Sequence, residues 1–558
     1  MFERIELPKT KDSGTAPETP GVLARFARDE DGSLMIFAVY MFVLMLMVGG
    51  IGIDLMRFER DRSKLQYTLD RAVLAAADLE QTLDPESVVQ DYFDKADLGS
   101  YLRDVTVEEG LGYRVVTADA EAEVYTQFMH MTGLDMLSAP AMSVAEERID
   151  SVEISLVLDV SGSMNSNSRL TNLKIAAKDF VDTMVDNTED GKMSMSIIPY
   201  ATQVSLPDGV ASRLNMSDEH DYSRCVNFAG SDFHDTAITQ AQPLERTMHF
   251  DPWRTWDGRD NDPMIMVGMT SNLNSTIPVC EARSDRELVV MQKDKTVLKT
   301  FIDNLTARGN TSIDIGMKWG TALLDPAFRP VVGGLIADGD VDGGFADRPY
   351  NFDAGEVLKV VVLMTDGQNT SQYYIDDDYR EGDSNVWWNE EEERYSVYYP
   401  AYNAYFWPHN DKWADHPYGQ DGWGCVGNST SNWNCQNRNE DGEAAQVSYA
   451  DLWAWTSMKF VPKNIYRNYN SDWNEIYYNP RRYVGSGTKN NRAYDICDAA
   501  KDQDIIVFTI GFEAPSSGRA VLKECASSEA HYFDVDGLEI ADAFDSIATS
   551  IRKLRLTQ

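Results

Sequence analysis

At 558 residues and a formal net charge of −40, the chain is long enough for two or three domains and too acidic to take nucleic acid or an anionic membrane surface as its main partner. The surplus of carboxylates leans towards divalent cations, although a solvated acidic surface accounts for most of them. Six cysteines and seven scattered histidines form no C-x-x-C motif or Cys/His cluster, so no zinc module is indicated.

Residues 1–20 carry Pro8, Pro17 and Pro20 and show no periodicity, and residues 1–32 are read as a disordered cytoplasmic tail. From Leu34 to Met56 the chain is apolar over the length needed to cross a bilayer as a helix, with Asp54 as its only charge. A cleaved signal peptide would have a shorter apolar core followed by small residues. Here Arg57-Phe58-Glu59-Arg60 follow, so the run reads as a retained anchor. Residues 57–81 have few breakers, and the helix is expected to continue through them.

Gly32-Ser33, Asp54, Leu65-Gln66, Asp70-Arg71-Ala72 and Leu74-Ala75-Ala76-Ala77 resemble the N-terminal segment (33–81 here) of TadE/TadG-like proteins of the bacterial Flp (Tad) pilus assembly system. That resemblance implies a single-pass inner-membrane protein whose C-terminal region is periplasmic or surface-facing. TadE-type pseudopilins are cut after a glycine before the apolar run, with a glutamate five residues on. Gly32 is present, but Phe37 stands at the glutamate position, so no prepilin-type cleavage is expected. The local charges conflict with the implied orientation. Arg25 and Arg28 lie before the span, whereas Arg57, Arg60, Arg62, Lys64 and Arg71 lie after it, which by the positive-inside rule puts the C-terminal side in the cytoplasm. The resemblance and the paired cysteines outweigh that modest bias.

Residues 84–150 read as a small β-containing spacer, with strands at 113–117 and 122–126 and a helical or looped piece from Phe128 to Leu137. Beyond it, Ile154-Ser155-Leu156-Val157-Leu158 is a buried strand that stops at Asp159 and is followed by Ser161 and Ser163. In an open α/β sheet ligands bind outside the carboxyl ends of strands, and one carboxylate with two hydroxyls suits a hard divalent cation. A second apolar strand, Val360–Thr365, ends at Asp366-Gly367, and Arg308-Gly309-Asn310-Thr311-Ser312 is a turn leading into a helix. Together these resemble the metal-ion-dependent adhesion site (MIDAS) of a von Willebrand factor type A (vWA) domain. The resemblance implies that Asp159, Ser161, Ser163, Thr311 and Asp366 are the ligands, with Mg²⁺ as the cation and Mn²⁺ or Ca²⁺ as alternates.

From residue 152 to 558 strands and helices alternate: a helix near 170–184, a strand at 193–198, helices at 297–305 and 312–324, strands at 357–364 and 505–510, and a terminal helix from 538 to 554. That alternation predicts an α/β fold with a doubly wound, mostly parallel sheet (vWA/Rossmann-like). Stretches of about 206–290, 326–356 and 370–490 are too long for loops and read as insertions. The third holds nine of the twelve tryptophans, which either anchor a ligand such as a sugar or make the insertion's own core. Asp338, Asp340 and Asp342 have the D-x-D-x-D-G spacing of a calcium loop, but Pro349 stands where the bidentate glutamate belongs, so an ordinary acidic turn is the stronger reading and a second calcium site the weaker.

Cys225 and Cys280, Cys425 and Cys435, and Cys497 and Cys525 lie close enough in sequence for three pairs, as disulfides if exported and as thiols if cytosolic. Asp495-Ile496-Cys497-Asp498, Gly511-Phe512 and Leu522–Ser527 resemble TadG-like proteins, which join this kind of anchor to a vWA domain, and in that resemblance Cys497 and Cys525 suit a disulfide.

The expectation is a membrane-anchored, non-enzymatic protein that binds a partner's Asp or Glu through the cation in pilus assembly or anchoring. The partners would be other Tad pilus components or envelope proteins. The alternatives are a surface adhesin or glycan-binding module that uses the aromatic insertion, and a metal-dependent hydrolase. The hydrolase is the weakest, because no histidine or glutamate pair accompanies the motifs as a base.

Overall fold

The computed structural model describes residues 31–78, 81, 83–110, 113–148, 151–252, 278–281, 283–354, 357–467 and 474–554. Of the tail expected over residues 1–32, residues 1–30 lie outside them, and Asp31 and Gly32 belong instead to the first turn of a helix. The described chain divides into two units, one of residues up to 108 with 114–147, the other of residues 109–113 with 148 onward.

In the first unit, helix α1 (Asp31–Ala77) is long and apolar enough over its first half to cross a membrane. Its second half carries Leu65, Leu69, Ala72, Val73 and Ala76, a stripe at helical spacing, and all are buried. They pack on Val88, Val89 and Phe93 of α2 (Pro85–Lys95) and on a three-stranded sheet ordered β1 (Leu102–Gly110), β2 (Tyr113–Tyr125), β3 (Met136–Arg148). The juxtamembrane helix and the spacer therefore share one core. Where two strands were expected, β2 is continuous, and Phe128–Leu137 holds a short 3₁₀ turn and then the start of β3. Asp54 accepts backbone N–H bonds from Gln127 (3.0 Å), Phe128 (2.7 Å) and Met129 (2.8 Å), which explains a buried carboxylate in an apolar run. One turn earlier Gly50 faces Phe128, whose ring would lie 2.4 Å from any added Cβ.

The second unit is built on β4 (Ser151–Asp159), α3 (Arg169–Asp186), β5 (Met193–Tyr200), β6 (Val289–Gln292), α4 (Lys295–Asn304), α5 (Ile313–Ala322), α6 (Arg329–Asp338) and β7 (Val357–Thr365). An aromatic-rich sheet follows: β8 (Asp383–Asn389), β9 (Arg394–Tyr399), β10 (Ala404–Trp407), β11 (Lys412–Ala414), β12 (Gly422–Ser429), β13 (Asn432–Arg438) and β14 (Ala444–Ser448). The chain then returns through α7 (Ser486–Lys501), β15 (Ile506–Phe512), α8 (Ser516–Cys525), β16 (Tyr532–Val535) and α9 (Glu539–Leu554).

The central sheet is mixed. Its order is β16-β15-β7-β4-β5-β6, the first five running parallel and β6 antiparallel at the edge. The sequence reading had placed the β6 residues at the border of an insertion. Even-numbered residues of β4, such as Ile154, Leu156 and Leu158, join a core with α3, α4 and α9, whereas Val157 joins one with α5, α7 and α8, so helices cover both faces. On the Val157 face α5 comes in on glycines. A Cβ at Gly316 would meet the Tyr200 ring at 2.7 Å, and one at Gly320 would meet Val157 Cγ2 at 2.5 Å. Gly316→Val is therefore expected to cost about 1–3 kcal/mol through overpacking, read as a lower denaturant midpoint.

All six cysteines are paired, as Cys225–Cys280, Cys425–Cys435 and Cys497–Cys525. The aromatic insertion shares a core with Met248, Phe250 and Val279 of the first insertion, with Trp388, Trp413 and Trp453 buried in it.

Candidate metal site

Asp159 and Asp366 lie at the C-terminal ends of the adjacent strands β4 and β7, so the sheet itself brings the two carboxylates together. Both are buried. The serines follow from the turn after β4. Ser161 donates its N–H to Asp159 Oδ1 (2.7 Å), Ser161 Oγ lies 3.0 Å from Ser163 Oγ, and Ser163 donates to Asp366 Oδ1 (2.7 Å). Thr311 comes from a third loop. A point one Cβ out from Gly367 is 3.4 Å from Thr311 Oγ1 and 3.9 Å from Asp159 Oδ2, so the hydroxyl and the carboxylate flank the same glycine. All five residues singled out in the sequence thus gather at one end of the sheet.

The loops are laced together by backbone bonds. Gly162 N–H donates to the Gly309 carbonyl (3.0 Å), Thr370 N–H to the Thr311 carbonyl (3.1 Å), and Thr311 N–H to Thr370 Oγ1 (3.0 Å). Gly309 has φ +90°, and an added Cβ would also press Thr202 Oγ1 at 3.1 Å, so glycine is required there twice over.

Three residues that the sequence did not single out, Thr365, Arg169 and Lys489, complete the site. Thr365 donates to Asp159 Oδ2 (2.5 Å). Arg169, in the first turn of α3, donates to Asp366 Oδ2 (2.8 Å) and to Glu513 (2.8 Å). A cation at a helix N-terminus opposes the helix dipole, which is the one local hint that Arg169 serves something else. Lys489, fully buried in α7, donates to the carbonyls of Thr311 and Thr370, both at 3.0 Å, and to Ser312 Oγ. Burial pushes its ammonium down to about 8, offset in part by Asp314.

Burial first, then repulsion from Asp366, pushes the Asp159 carboxyl up to about 7. Burial also raises Asp366, while Ser163 and Arg169 pull it back. Two desolvated carboxylates and three hydroxyls form an all-oxygen donor set, with the Arg169 guanidinium alone offsetting the two negative charges, which fits a hard divalent cation.

The calcium-loop spacing does not close on a point. Asp338 ends α6 and pairs with Arg213, while Asp342 pairs with Lys293 at 3.2 Å and caps Gly344 N–H at 2.8 Å. Among the described residues no cluster of three or more His, Cys, Asp or Glu side chains gathers as a metal site there or elsewhere.

No curated protein matches the chain. Among solved structures it is similar to the von Willebrand factor domain of the type V pili tip protein Mfa5 from Porphyromonas gingivalis (15% identity, 72% of this chain and 95% of that one, TM-score 0.30). It is also similar to the adhesive tip pilin GBS104 from Group B Streptococcus agalactiae (11% identity, 72% and 100%, TM-score 0.31). A third is the pilus adhesin SpaC from Lactobacillus rhamnosus GG (13% identity, 81% and 34%, TM-score 0.28). Residues 32–79 match the family model described as "Putative Flp pilus-assembly TadE/G-like", so the segment that carries the apolar helix is similar to Tad pilus-assembly proteins.

Proposed function

We propose that the protein is a single-pass inner-membrane component of Flp pilus assembly or anchoring. Its second unit would be a vWA domain with a doubly wound sheet, placed on the periplasmic or surface-facing side. Three disulfides support the exported side, because such bonds persist in oxidising compartments.

The observation that carries the reading is the convergence of Asp159, Ser161, Ser163, Thr311 and Asp366 from three loops onto the C-terminal end of β4 and β7. These residues would hold Mg²⁺, or Mn²⁺ or Ca²⁺ in its place. When bound, the cation would supply a Lewis-acidic position for an Asp or Glu of a partner, one of the other pilus components or an envelope protein. Ser161 and Ser163 would contribute hydroxyl oxygens without charge, so that attraction for an incoming carboxylate is kept. Arg169 would hold Asp366 in place while sharing its charge with Glu513. The role in this reading is binding, with Arg169, protonated at neutral pH, serving to hold Asp366 and not as a base.

The test is capture of envelope proteins by the full chain in lipid nanodiscs, with Mg²⁺, with a chelator, and as Asp159→Ala. Capture that falls at least tenfold both on chelation and in the variant is expected. Capture indifferent to both would remove the adhesion reading.

A further inference from the structure

The turn between β2 and β3 docks on the apolar half of α1. Asp54 accepts the backbone N–H groups of Gln127, Phe128 and Met129, and the Phe128 ring fills the space that a side chain would need at Gly50. Both helix positions lie within the apolar run Leu34–Met56. Asp29-Glu30-Asp31 set where that run begins, so the roughly 20 residues that cross a hydrocarbon core extend from Leu34 to about Ile53. By the rise of an α-helix Gly50 then sits about 5 Å inside the edge of the core, with Phe128 beside it.

The turn suits that depth. Tyr125, Met131, Leu134 and Met136 are exposed around it. From Val124 to Leu137 Asp135 is the only Asp, Glu, Lys or Arg, and it pairs with His130 at 2.6 Å. Much of the backbone is satisfied internally. Besides the three bonds to Asp54, Thr126 N–H donates to the Asp135 carbonyl (3.1 Å), Met131 N–H to Phe128 (3.1 Å), Gly133 N–H to His130 (3.0 Å) and Leu134 N–H to Met129 (3.3 Å). Backbone that meets hydrocarbon has to be satisfied in this way. β3 then climbs out along α1: Gln66, about 15 Å beyond Met56 on the helix, donates to the Met142 carbonyl (3.0 Å).

We propose that the β2–β3 turn is a second membrane contact, which rests on the anchor reading above. Tyr125, Met131, Leu134 and Met136 insert into the interfacial layer of the leaflet on the C-terminal side of the span. Lipid is the occupant because the turn is continuous with a surface already given to lipid, the exposed Val48, Ile53, Leu55 and Met56 of α1, and because its two contacts on the helix fix its depth. A tyrosine at the rim and flexible apolar side chains inside it are the composition of a membrane interface. A contact of this kind beside the helix restrains its tilt and rotation in the bilayer.

All six native cysteines are paired, so one added cysteine can carry a nitroxide label. The full chain in phosphatidylcholine nanodiscs is labelled as Met131→Cys, Leu134→Cys, Val48→Cys or Met142→Cys, and power-saturation EPR reads access to oxygen against access to a water-soluble nickel chelate. Met142 is also an exposed methionine and differs from Met131 in depth. The oxygen-to-nickel ratio at Met131 and Leu134 is expected to lie several-fold above that at Met142 and towards that at Val48. A Met131 label that reads with Met142, in a chain that melts like the wild type, overturns the proposal. Leu134→Cys decides in the same way if Met131→Cys melts early. Labels shielded from both probes would mean that protein, such as a second copy, covers the turn, and this too overturns it. Val48→Cys reading as water would remove the anchor and the proposal with it, which separates that failure from a failure of the turn alone.

Discussion

Glu153→Ala is expected to lower the stability of the second unit by about 3–5 kcal/mol, because it strands two buried cations. Glu153 sits in β4 on the same face as Asp159, six residues earlier and so roughly 20 Å away at the N-terminal end of the sheet. Lys359 donates to Glu153 Oε2 (2.5 Å) and to the Leu324 carbonyl (2.7 Å), while Tyr350 N–H donates to Glu153 Oε1 (3.0 Å). Arg348 reaches the same carboxylate at 3.6 Å and also binds the Val152 carbonyl and Ser194 Oγ, both at 3.0 Å. All three charged side chains are buried. Burial holds both Lys359 and Arg348 below their ordinary range, with Glu153 opposing it. Removing the carboxylate withdraws that opposition from two cations at once. Lys359→Met should cost less, since Glu153 keeps Arg348 and Tyr350, and the double variant should cost less than the two singles added. Denaturant midpoints of the four proteins check the ordering. Equal losses in Glu153→Ala and Lys359→Met would mean the triad does not act as a unit.

The contrast between the two ends of the sheet explains how much of the site was legible in the sequence. An apolar run with an acid at its end marked both β4 and β7, and the parallel pairing of these strands then brings Asp159 and Asp366 together without further information. Thr311 was legible through Gly309, whose positive φ is written into the residue type. Arg169 and Lys489 were not, because their partners lie 197 and 178 positions away and nothing local records such a pairing. In β2 the inward residues Ala118, Ala120 and Ala122 are alanines, small enough for α1 to approach but poor strand formers, and they split one strand into two in the reading. The acidic triplet shows the opposite limit of spacing read alone. Its spacing presumes a loop, and α6 runs through Asp338.

In the metal-free protein Asp159 should contribute a loss of stability as pH rises from about 4 to about 7, on the order of 2–4 kcal/mol when read against Asp159→Asn, and Mg²⁺ should restore it. The sign follows from Asp159, whose carboxyl is raised from 3.8 to about 7 in the fold, by burial before repulsion from Asp366. Between those values the folded state holds a proton that the unfolded state has released, so raising the pH favours unfolding. The penalty is complete once the pH passes the folded value and absent below the unfolded one. A divalent cation between the two carboxylates would favour the charged form and flatten the slope by binding the folded state alone. Asp159→Asn mimics the protonated carboxyl in shape and charge. It should therefore melt higher than the wild type at pH 8 in chelator, show a flatter pH profile, and gain little from Mg²⁺. Thermal melts of the full chain in nanodiscs at pH 5 and pH 8, with Mg²⁺ and with chelator, read all three effects. A variant that melts lower than the wild type at pH 8 in chelator would mean that Asp159 is stabilising as an anion without any metal, held by Thr365 and the Ser161 amide alone. The adhesion reading requires the reverse: a site destabilised by its own two carboxylates until a cation arrives, which makes cation binding, and through it partner binding, favourable.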